Sequence, residues 1–304
     1  MATPREIHRH IKSVRNIQQI TKAMKMVAAA RLRRAQEKAA SSQPFAEKIK
    51  ELLATAVSDK KALANLKPGE QPLLAERPIK RVGYVVITSD KGLAGAYNAN
   101  VLKYATVELM DKEDYVLFTA GRKAKDFFSR RGFDIQESFF GFSDRPNYDN
   151  ANEIVQAAAK LFTDGVVDEV VIIYTKFKSA LSFTPVSERL LPVAPPGDVK
   201  SEEEPFDDAE LSIEEEDEMG EFIFEPSSSE TLKHLVPYYV KTLMYAALMQ
   251  SAASELGARM TAMSSATDNA NDLIKSLEMT YNKARQAGIT AEINEIVGGA
   301  EALQ

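Results

Sequence analysis

The sequence of 304 residues contains no cysteine. Without cysteine the chain can form no disulfide, no thiolate metal site and no cysteine nucleophile, which fits a reducing cytoplasm. Its longest apolar runs, near residues 82–87 and 170–173, have the length of strands, and none approaches the roughly 20 residues needed to span a bilayer. The N-terminus also lacks the apolar stretch of a secretory signal. If the protein works at a membrane, we expect another subunit to hold it there.

Acidic and basic residues are concentrated in different parts of the chain, although the net charge is only -6. Nearly every charged residue between Asp198 and Glu225 is acidic, and nearly every one between Arg5 and Lys38 is basic. The acidic segment lacks the ligand spacing of a calcium loop, so we interpret it as a solvated surface loop. The basic segment is compatible with a nucleic-acid face or with a face that meets an acidic protein. It has no interleaved aromatic residues and no nucleic-acid-reading motif, which favours the acidic protein.

The first segment, residues 1–59, is predicted to form one long helix. Thr3 can cap it, Pro4 suits the first helical position, and Glu6 can complete a capping box. Pro44 should kink or interrupt the helix. Apolar residues recur in steps of three and four, which is typical of the seam of a coiled coil. These residues are Ile7, Ile11, Val14, Ile17, Ile20, Met24 and Val27.

The last segment, residues 227–304, has the same character. Its start at 227–230 has the pattern of a capping box. Pro237 should kink the first turns, and the glycine pair at 298–299 should end the helix. A second apolar seam runs along it. Its residues are Leu243, Ala246, Met249, Ala253, Leu256, Met260, Met263, Ala266, Ala270, Leu273, Leu277, Tyr281 and Ala284.

The middle segment, residues 60–226, alternates strand-like and helix-like patterns. This rhythm predicts a mostly parallel sheet with helices on its faces. The predicted strands are 82–88, 115–119, 133–140, 169–174 and 181–191, and the predicted helices are 98–112, 122–131 and 151–162. An acidic loop at 195–221 and a short strand at 222–224 complete the segment.

The lengths of the terminal helices predict how the three segments fit together. At about 1.5 Å per residue the two helices would be roughly 80 and 90 Å long, whereas a compact domain of about 150 residues has a radius of gyration near ~15 Å. The helices must therefore project from the middle domain, antiparallel to each other, with both termini at the far tip. The predicted fold is α/β plus coiled coil. It has a long antiparallel two-helix coiled coil, made from the N- and C-terminal segments, and a Rossmann-like α/β domain between them.

The far tip should also carry unpartnered apolar side chains. The C-terminal helix is slightly the longer, so Ile289, Ile293, Ile296 and Val297 should extend beyond the end of the first helix. An isolated apolar tip is a liability in water. We therefore expect another protein to sheathe it.

No pattern for catalysis stands out. Residues 90–95 follow a predicted strand like a phosphate loop, but the Gly-Lys-Ser/Thr of a P-loop and the spacing of a dinucleotide fingerprint are missing. His8 and His10 face different sides of a helix and make a poor metal pair. The middle domain shows no set of nucleophile, base and orienting residue. We expect no cofactor and no metal, and an α/β enzyme of the dinucleotide-binding kind stays as an alternative.

Three motifs are spread along the chain. The first two read ITKAMKMVA at 20–28 and TSDKGLAGAYN at 88–98. The third is a C-terminal set that reads ARMTAM at 258–263, ATDNA at 266–270, YNKARQA at 281–287 and ITAE at 289–292, and continues through Glu295 to Gly299 and Ala300. Together they resemble the gamma subunit of F-type ATP synthases. The C-terminal stretch is the most specific of them, and the acidic segment matches least.

This resemblance implies a role and a set of partners. In that family the terminal helices form an asymmetric coiled coil inside a ring of alternating alpha and beta subunits, and the foot binds epsilon and the c-ring. Proton flow turns the c-ring, the gamma subunit turns with it, and the catalytic beta sites are driven through different nucleotide affinities. The resemblance thus implies a central rotor stalk that is not catalytic by itself. It would lie at the cytoplasmic face of a bacterial cell membrane, and the thiol control of chloroplast relatives is excluded.

The resemblance also implies which positions meet the beta subunit. Met24 and Lys25 sit where the family's gamma subunit meets an acidic lever loop, and Arg285 and Gln286 sit where it hydrogen-bonds a catch loop. Arginine suits such a contact because it can bond a carboxylate with two N–H groups. Other positions that support coupling in relatives are occupied by Arg259, Thr290 and Glu292.

Overall fold

The computed structural model describes residues 3–58, 71–110, 112, 114–193 and 227–301. In chain order the elements are α1 (Pro4–Ser58), a 3-10 turn (Pro72–Leu74), β1 (Val82–Ile87), α2 (Tyr97–Met110), β2 (Tyr115–Ala120), α3 (Arg122–Arg130), β3 (Ile135–Phe139), α4 (Tyr148–Thr163), β4 (Glu169–Phe177), β5 (Phe183–Leu191) and α5 (Ser228–Glu301). The acidic loop expected at 195–221 and the strand expected at 222–224 lie outside the described residues.

Side chains cap the first turns of both long helices, as their sequences predict. In α1 the Thr3 backbone N–H donates to Glu6 Oε2 at 2.8 Å, and the Glu6 N–H donates to Thr3 Oγ1 at 3.4 Å. These two bonds complete the predicted capping box. The bond from the Thr3 backbone also lowers the pKa of the Glu6 carboxyl. In α5 the Glu230 N–H donates to Ser227 Oγ at 3.2 Å.

The prolines and glycines inside these helices do not end them. Helix α1 continues through Pro44 and α5 through Pro237. A proline removes one bond of the helix ladder, and the buried neighbours Ile49 and Val240 hold the two helices in place. Helix α5 also continues past Gly298, because glycine permits a helix to end but costs only about 1 kcal/mol inside one. Of the kink or interruption expected at Pro44, the interruption does not occur, and the helix end expected at 298–299 is wrong.

The middle of the chain forms a five-stranded sheet in the order β3-β2-β1-β4-β5. β1 pairs in parallel with β2 and β4, β2 pairs in parallel with β3, and β5 runs antiparallel to β4. The predicted mostly parallel, Rossmann-like sheet is confirmed. The four parallel strands end at one edge, which we call the carboxyl edge. The strand order reverses between β1 and β4, and α/β proteins commonly bind ligands at that point of the carboxyl edge.

Helices cover both faces of this sheet. Successive side chains of a strand point to opposite faces, so Tyr84 and Val86 of β1 pack in the layer of α2 and α3. Val85 and Ile87 pack in the layer of α4 and α5 on the other face. The domain therefore has three layers, and one of the two terminal helices belongs to its core.

Helix α5 is both a layer of the domain and half of the coiled coil. Its residues Leu232, Val236, Val240, Met244 and Leu248 are buried in the core cluster shared with α4 and β4. Since α5 follows β4 toward the carboxyl edge, it leaves the domain there. The junction between the domain and the rod thus extends over about four turns of packed helix, from Leu232 to Leu248.

Beyond the carboxyl edge, α1 and α5 pack against each other in antiparallel directions. Near the tip, Ile7 and Ile11 of α1 share a cluster with Ala270 and Ile274 of α5. Close to the domain, Leu32 shares a cluster with residues earlier in α5. The predicted antiparallel coiled coil is confirmed.

The seam of this coiled coil differs from the predicted one in its middle. A coiled coil alternates steps of three and four residues. From Val14 this rule leads to Gln18 and Thr21, and Ile17 and Ile20 are left 52% and 59% exposed. The prediction took two successive steps of three from Val14, to Ile17 and Ile20, which turns these side chains away from α5.

The same error affects other predicted seam residues. Val27 of α1 is 52% exposed and Leu273 of α5 is 44% exposed, whereas Ile274 is buried. Ala266 is half-buried and does not pair across the seam, where Thr267 makes the contact. A prediction that follows apolar residues alone, and not the alternation of three and four residues, misplaces the seam wherever polar residues occupy it.

Gly121 offers a test of how tightly the sheet holds the start of α3. Its φ is 120°, and a Cβ there would lie 2.3 Å from the Thr88 carbonyl oxygen. Gly132 also has a positive φ, of 76°, but a Cβ there meets nothing within 4 Å. We expect Gly132→Ala to lower the free energy of unfolding by about 1 kcal/mol, and Gly121→Ala by more than about 3 kcal/mol. Urea unfolding followed by circular dichroism measures both, and equal losses would contradict the clash.

Candidate functional site

Polar side chains join the two helices in the middle of the coiled coil. Gln18 Nε2 donates to Asn271 Oδ1, the hydroxyls of Thr21 and Thr267 lie 2.8 Å apart, and Lys25 Nζ donates to Ser264 Oγ at 2.9 Å. Together the three pairs occupy three consecutive positions of the seam on each helix. Apolar layers lie on both sides of them, toward the tip and toward the domain. Both threonine hydroxyls also bond carbonyls of their own helices, whereas the Gln18 and Asn271 amides bond each other across the seam. Such cross-helix bonds favour one alignment of α1 with α5.

The outer surface of the same stretch carries exposed apolar side chains beside polar ones. Ile17, Ile20, Met26 and Val27 are each more than half exposed. Ile17, Ile20 and Val27 fall within an arc of about 80° of the helix, and Met26 lies on the other side. Exposed apolar side chains grouped in this way are typical of surfaces that contact other proteins.

Met24 and Lys25 lie within this stretch. Met24 is half-buried, and Lys25 is exposed although its ammonium reaches across to Ser264. Farther along α1, Arg31 is paired with Asp144 and Arg33 with Glu37. The positive charge of this stretch therefore comes from Lys25 and the exposed Lys22. The stretch can thus offer apolar area and positive charge together to a partner.

The tip of α5 extends beyond the end of α1. Gln18 lies opposite Asn271, so Pro4, which is 14 residues earlier, lies opposite Arg285, which is 14 residues later. The remaining 16 residues of α5, from 286 to 301, have no α1 beside them, and they measure about 24 Å. The predicted overhang is present, and its four predicted apolar residues are exposed.

One side of the overhang carries both the predicted contact residues and the apolar ones. Successive residues of an α-helix are turned by about 100°. By that geometry eight residues fall within an arc of about 160°. They are Arg285, Gln286, Ile289, Thr290, Glu292, Ile293, Ile296 and Val297. The opposite side carries Ala287, Gly288, Ala291, Asn294 and Gly298. We call the first side the tip face.

The predicted contact residues thus form two separate groups. Lys25 lies opposite Ser264, and Arg285 is 21 residues farther along α5, a distance of about 30 Å. Arg259 belongs to neither group. It is 8% exposed, its guanidinium forms an ion pair with Glu255 at 2.7 Å, and it donates to the Gly92 carbonyl at 3.2 Å.

Glu255 is the most deeply buried charged side chain of the described residues, with 1% of its surface exposed. Burial raises the pKa of its carboxyl, and the neighbouring Arg259 opposes that rise. Burial, together with the nearby charge of Glu255, raises the pKa of the Tyr97 hydroxyl. This group of charged and polar side chains connects α5 to the loop that follows β1.

Helix α5 occupies the carboxyl edge, where α/β enzymes bind nucleotides. Ser251 and Glu255 of α5, together with Thr88 and Tyr97, line a cavity of about 10 Å³ there. Such a cavity holds one water at most, whereas ligand pockets measure several hundred cubic ångströms. The residues described at this edge leave no space for a dinucleotide.

Two further findings concern the described residues alone. They contain no group of three or more acidic or histidine side chains that could hold a metal ion. None of their helices is both long enough and apolar enough to cross a membrane.

Comparison with known proteins places the chain in a family. A family model described as ATP synthase matches residues 3–303. The ATP synthase gamma chains of Desulfitobacterium hafniense and Halothermothrix orenii are 44% and 46% identical over 305 residues, with all of each chain covered. The chain belongs to the ATP synthase gamma chain family.

Solved structures agree with this membership at the level of the fold. A chain from the rotor of the Euglena gracilis mitochondrial ATP synthase aligns with a TM-score of 0.65 and 19% identity, covering 94% of this chain and 98% of that one. A chain from the central stalk and c-ring of the Tetrahymena thermophila enzyme aligns with a TM-score of 0.59 and 23% identity, covering 81% and 99%.

Sequence reasoning missed three acidic residues that tie the family's characteristic loops together. Asp90 accepts hydrogen bonds from the backbone N–H groups of Arg122, Gly141 and Ser143, at 3.0, 2.8 and 3.1 Å. Asp144 pairs with cations from two other elements, and Glu255 pairs with Arg259. Only Glu255 had a visible signal, because it precedes Arg259 by four residues, which is the spacing of a helical ion pair.

The polar middle of the coiled coil can be tested with a double-mutant cycle on Thr21 and Thr267. Valine has the shape of threonine without the hydroxyl. Each single Thr→Val change leaves the other hydroxyl without its partner across the seam, whereas the double change removes both. We therefore expect a coupling free energy of about 1 kcal/mol from urea unfolding of the four variants. The same cycle on Thr280 and Thr106, which do not pair with each other, should give none, and a zero result for Thr21 and Thr267 would contradict the pairing.

Proposed function

We propose that this chain is the central rotor stalk of the F1 sector of a proton-translocating ATP synthase. It transmits rotation of the c-ring to the catalytic beta subunits, and it catalyses no reaction by itself. The single observation that carries the proposal is a two-helix rod with a free amphipathic tip, built on a domain whose ligand edge is filled by the rod itself.

The surface of the rod suits a ring of alpha and beta subunits around it. The tip face and the apolar stretch around Ile17 and Ile20 lie about 30 Å apart along the rod. A surrounding ring of partner subunits can therefore contact both at once. We propose that Met24 and Lys25 meet an acidic lever loop of the beta subunit. We propose that Arg285 and Gln286 bond a catch loop of beta, with Thr290 and Glu292 beside them on the tip face.

Arg259 supports coupling in a different way under this proposal. Its guanidinium is already used by Glu255 and by the Gly92 carbonyl. It therefore acts from inside the chain, by holding the rod against the loop after β1.

The opposite end of the domain suits the epsilon subunit and the c-ring. The loops before β1 and β4 and the end of α2 lie at the amino edge of the sheet, since α2 runs back against the parallel strands. Ile79, Met110 and Val166 are exposed at these places. Exposed apolar residues at this edge mark it as the second contact region of the chain. Solved relatives of the same fold are described as parts of a rotor and of a central stalk with c-ring.

The location follows from the partners. With the c-ring of Fo as its anchor, the chain would lie at the cytoplasmic face of a bacterial cell membrane as a peripheral protein. Its own described helices do not supply a membrane span.

The energetics of the proton step explain why a rod is needed. One elementary charge that crosses 100 mV of membrane potential releases only about 2.3 kcal/mol. Several proton steps must therefore be pooled for each ATP, and a stiff shaft can pass on the pooled energy. Because the rod is asymmetric, it contacts the three beta subunits differently at any moment, so rotation changes the affinities of their sites in turn.

A double substitution on the tip face tests the catch contact. Arg285→Ala combined with Gln286→Ala removes the charge-assisted and amide hydrogen bonds of the tip face. We expect ATP turnover of the assembled complex to fall by about tenfold, because two bonds of this kind contribute about 1–3 kcal/mol. Assembly with alpha and beta should be unaffected, and a steady-state ATPase assay of the purified complex measures the effect.

The control for this test is Asn294→Ala, on the opposite side of the overhang. Asn294 is exposed, so its removal should leave turnover unchanged. Equal effects of the two variants, or unchanged turnover in both, would count against the assigned contact. Failure of the wild-type chain to purify with alpha and beta subunits would count against the proposed function itself.

The alternative of a dinucleotide-binding enzyme makes a different prediction for the isolated chain. A carboxyl edge with a cavity of about 10 Å³ should bind neither NAD nor ATP. Isothermal titration with each nucleotide should therefore show no heat of binding at millimolar concentrations. Saturable binding of one nucleotide per chain would favour the enzyme.

A further inference from the structure

We propose that three loops at the carboxyl edge form a collar that locks the rod to the domain, and that Asp144 and Glu255 are the positioning residues through which torque passes. The collar comprises residues 88–97, 140–146 and 177–183. This inference rests on the proposed rotor function. It adds a site inside the chain, separate from the partner surfaces.

The first loop of the collar lies directly against α5. Arg259 donates to the Gly92 carbonyl at 3.2 Å. A Cβ placed on Gly95 would be 3.8 Å from the Ala262 Cβ, so the loop backbone touches the helix over a full turn. Ala94 and Ala258 are buried in the same contact. Helix and loop thus meet through small residues and one arginine.

The third loop of the collar is the turn between β4 and β5, and it contacts both helices. Gly257 of α5 lies so close that a Cβ there would be 3.3 Å from the Ala180 Cα. Thr261 Oγ1 donates to the Ala180 carbonyl at 3.3 Å. Leu32 of α1 shares a buried cluster with Phe177. The turn therefore holds α5 by close backbone packing and α1 by an apolar contact.

The second loop of the collar reaches α1 through charge. Asp144 pairs with Arg31 of α1 and lies 3.6 Å from the Lys91 ammonium in the first loop. Its carboxylate is 19% exposed, so water screens the Arg31 contact only partly. Asp90 fixes the position of this loop through the Gly141 and Ser143 N–H groups. One carboxylate thus links α1 to two of the three loops.

Glu255 helps to link α5 to the first loop, as Asp144 links α1 to the first and second loops. It pairs with Arg259 at 2.7 Å in a site where both side chains are almost completely buried. Removing two charges from water costs several kcal/mol and is seldom recovered in stability. Such a pair is explained by what it positions. Here it aims the Arg259 guanidinium at the Gly92 carbonyl.

The collar adds charged contacts to an interface that is otherwise apolar or neutral. Below it, α5 meets the sheet through apolar residues such as Val236 and Leu248, whose burial has no preferred direction, and through neutral hydrogen bonds of Gln250 and Ser254 with β4. Charge-assisted bonds have a defined geometry. All of the collar contacts lie at one level of the rod, around residues 28–35 of α1 and 255–262 of α5. A torque on the domain therefore reaches both helices at this level.

The test uses the complete ATP synthase, reconstituted in proteoliposomes, and measures ATP hydrolysis and ATP-driven proton pumping together. Asp144→Asn and Glu255→Gln keep the size of each side chain and remove its charge. We expect the ratio of protons pumped to ATP hydrolysed to fall by about twofold or more in each variant. Hydrolysis itself should stay near the wild-type rate. Asp144→Asn keeps the test decisive if Glu255→Gln fails to assemble, because the Asp144 side chain is 19% exposed and that of Glu255 only 1%.

The control is Glu278→Gln, which removes another ion pair between the two helices. Arg15 and Glu278 lie 2.7 Å apart and are about half exposed, well above the collar. This variant should pump protons like the wild type. Equal losses in Glu278→Gln and Asp144→Asn would overturn the special role of the collar.

A covalent rescue separates positioning from a structural role. The chain has no cysteine, so Arg31→Cys with Asp144→Cys provides a unique pair for a short bis-maleimide. We expect the uncrosslinked pair to pump poorly and the crosslinked pair to recover the wild-type ratio. A wild-type ratio in the Asp144 and Glu255 variants would overturn the inference while the rotor function stands. The inference would also be overturned if these variants assembled less well or were less stable to heat while their ratio of protons pumped to ATP hydrolysed was unchanged. A wild-type chain that supports no pumping in the complex would overturn both.

Discussion

The antiparallel pairing of α1 with α5 is the constraint on which the rest of the structure depends. It brings both chain ends to one tip, and it decides that α5 is left alone for its last turns. It also places the two helices at the carboxyl edge together, so that three loops of the sheet can surround them. Polar pairs such as Gln18 with Asn271 fix the alignment of the helices. A slip of one heptad would unpair these side chains, and it would move Arg31 away from Asp144 by about 10 Å.

The domain and the rod share one piece of secondary structure, so the fold resembles a nucleotide-binding domain whose ligand edge is filled by a helix. The place that a cofactor takes in an α/β enzyme is taken by α5, and Glu255 of α5 lies near the end of β1. The sheet that elsewhere positions a ligand here positions a helix. In both cases the loops after parallel strands supply the contacts, and their backbone groups do so through glycines and short side chains.

Much of this could be predicted from the sequence, for reasons that differ between elements. Helix caps at Thr3 and Ser227 and the alternating strands and helices depend on neighbours in the chain, so local patterns are enough. The seam was predicted correctly at Ile7 and Ile11, where it is apolar. It was predicted wrongly at Ile17, beside which Gln18 faces α5, and at Leu273, beside which Ile274 is buried. The assignment of Met24, Lys25 and the tip residues to partners came from resemblance. The collar could not be predicted, because Asp144 and Arg31 are 113 residues apart and no local pattern joins them.

The middle of the rod, which has polar pairs between its helices and exposed apolar side chains outside, has a consequence for the cell. Ile17, Ile20, Met26 and Val27 are exposed on the lone chain, and apolar surface of that kind drives unassembled subunits to clump. The same residues that suit the chain for contact with surrounding partner subunits make any unassembled copy prone to aggregation. Balanced synthesis of the subunits is therefore a requirement that this one surface imposes on the whole machine.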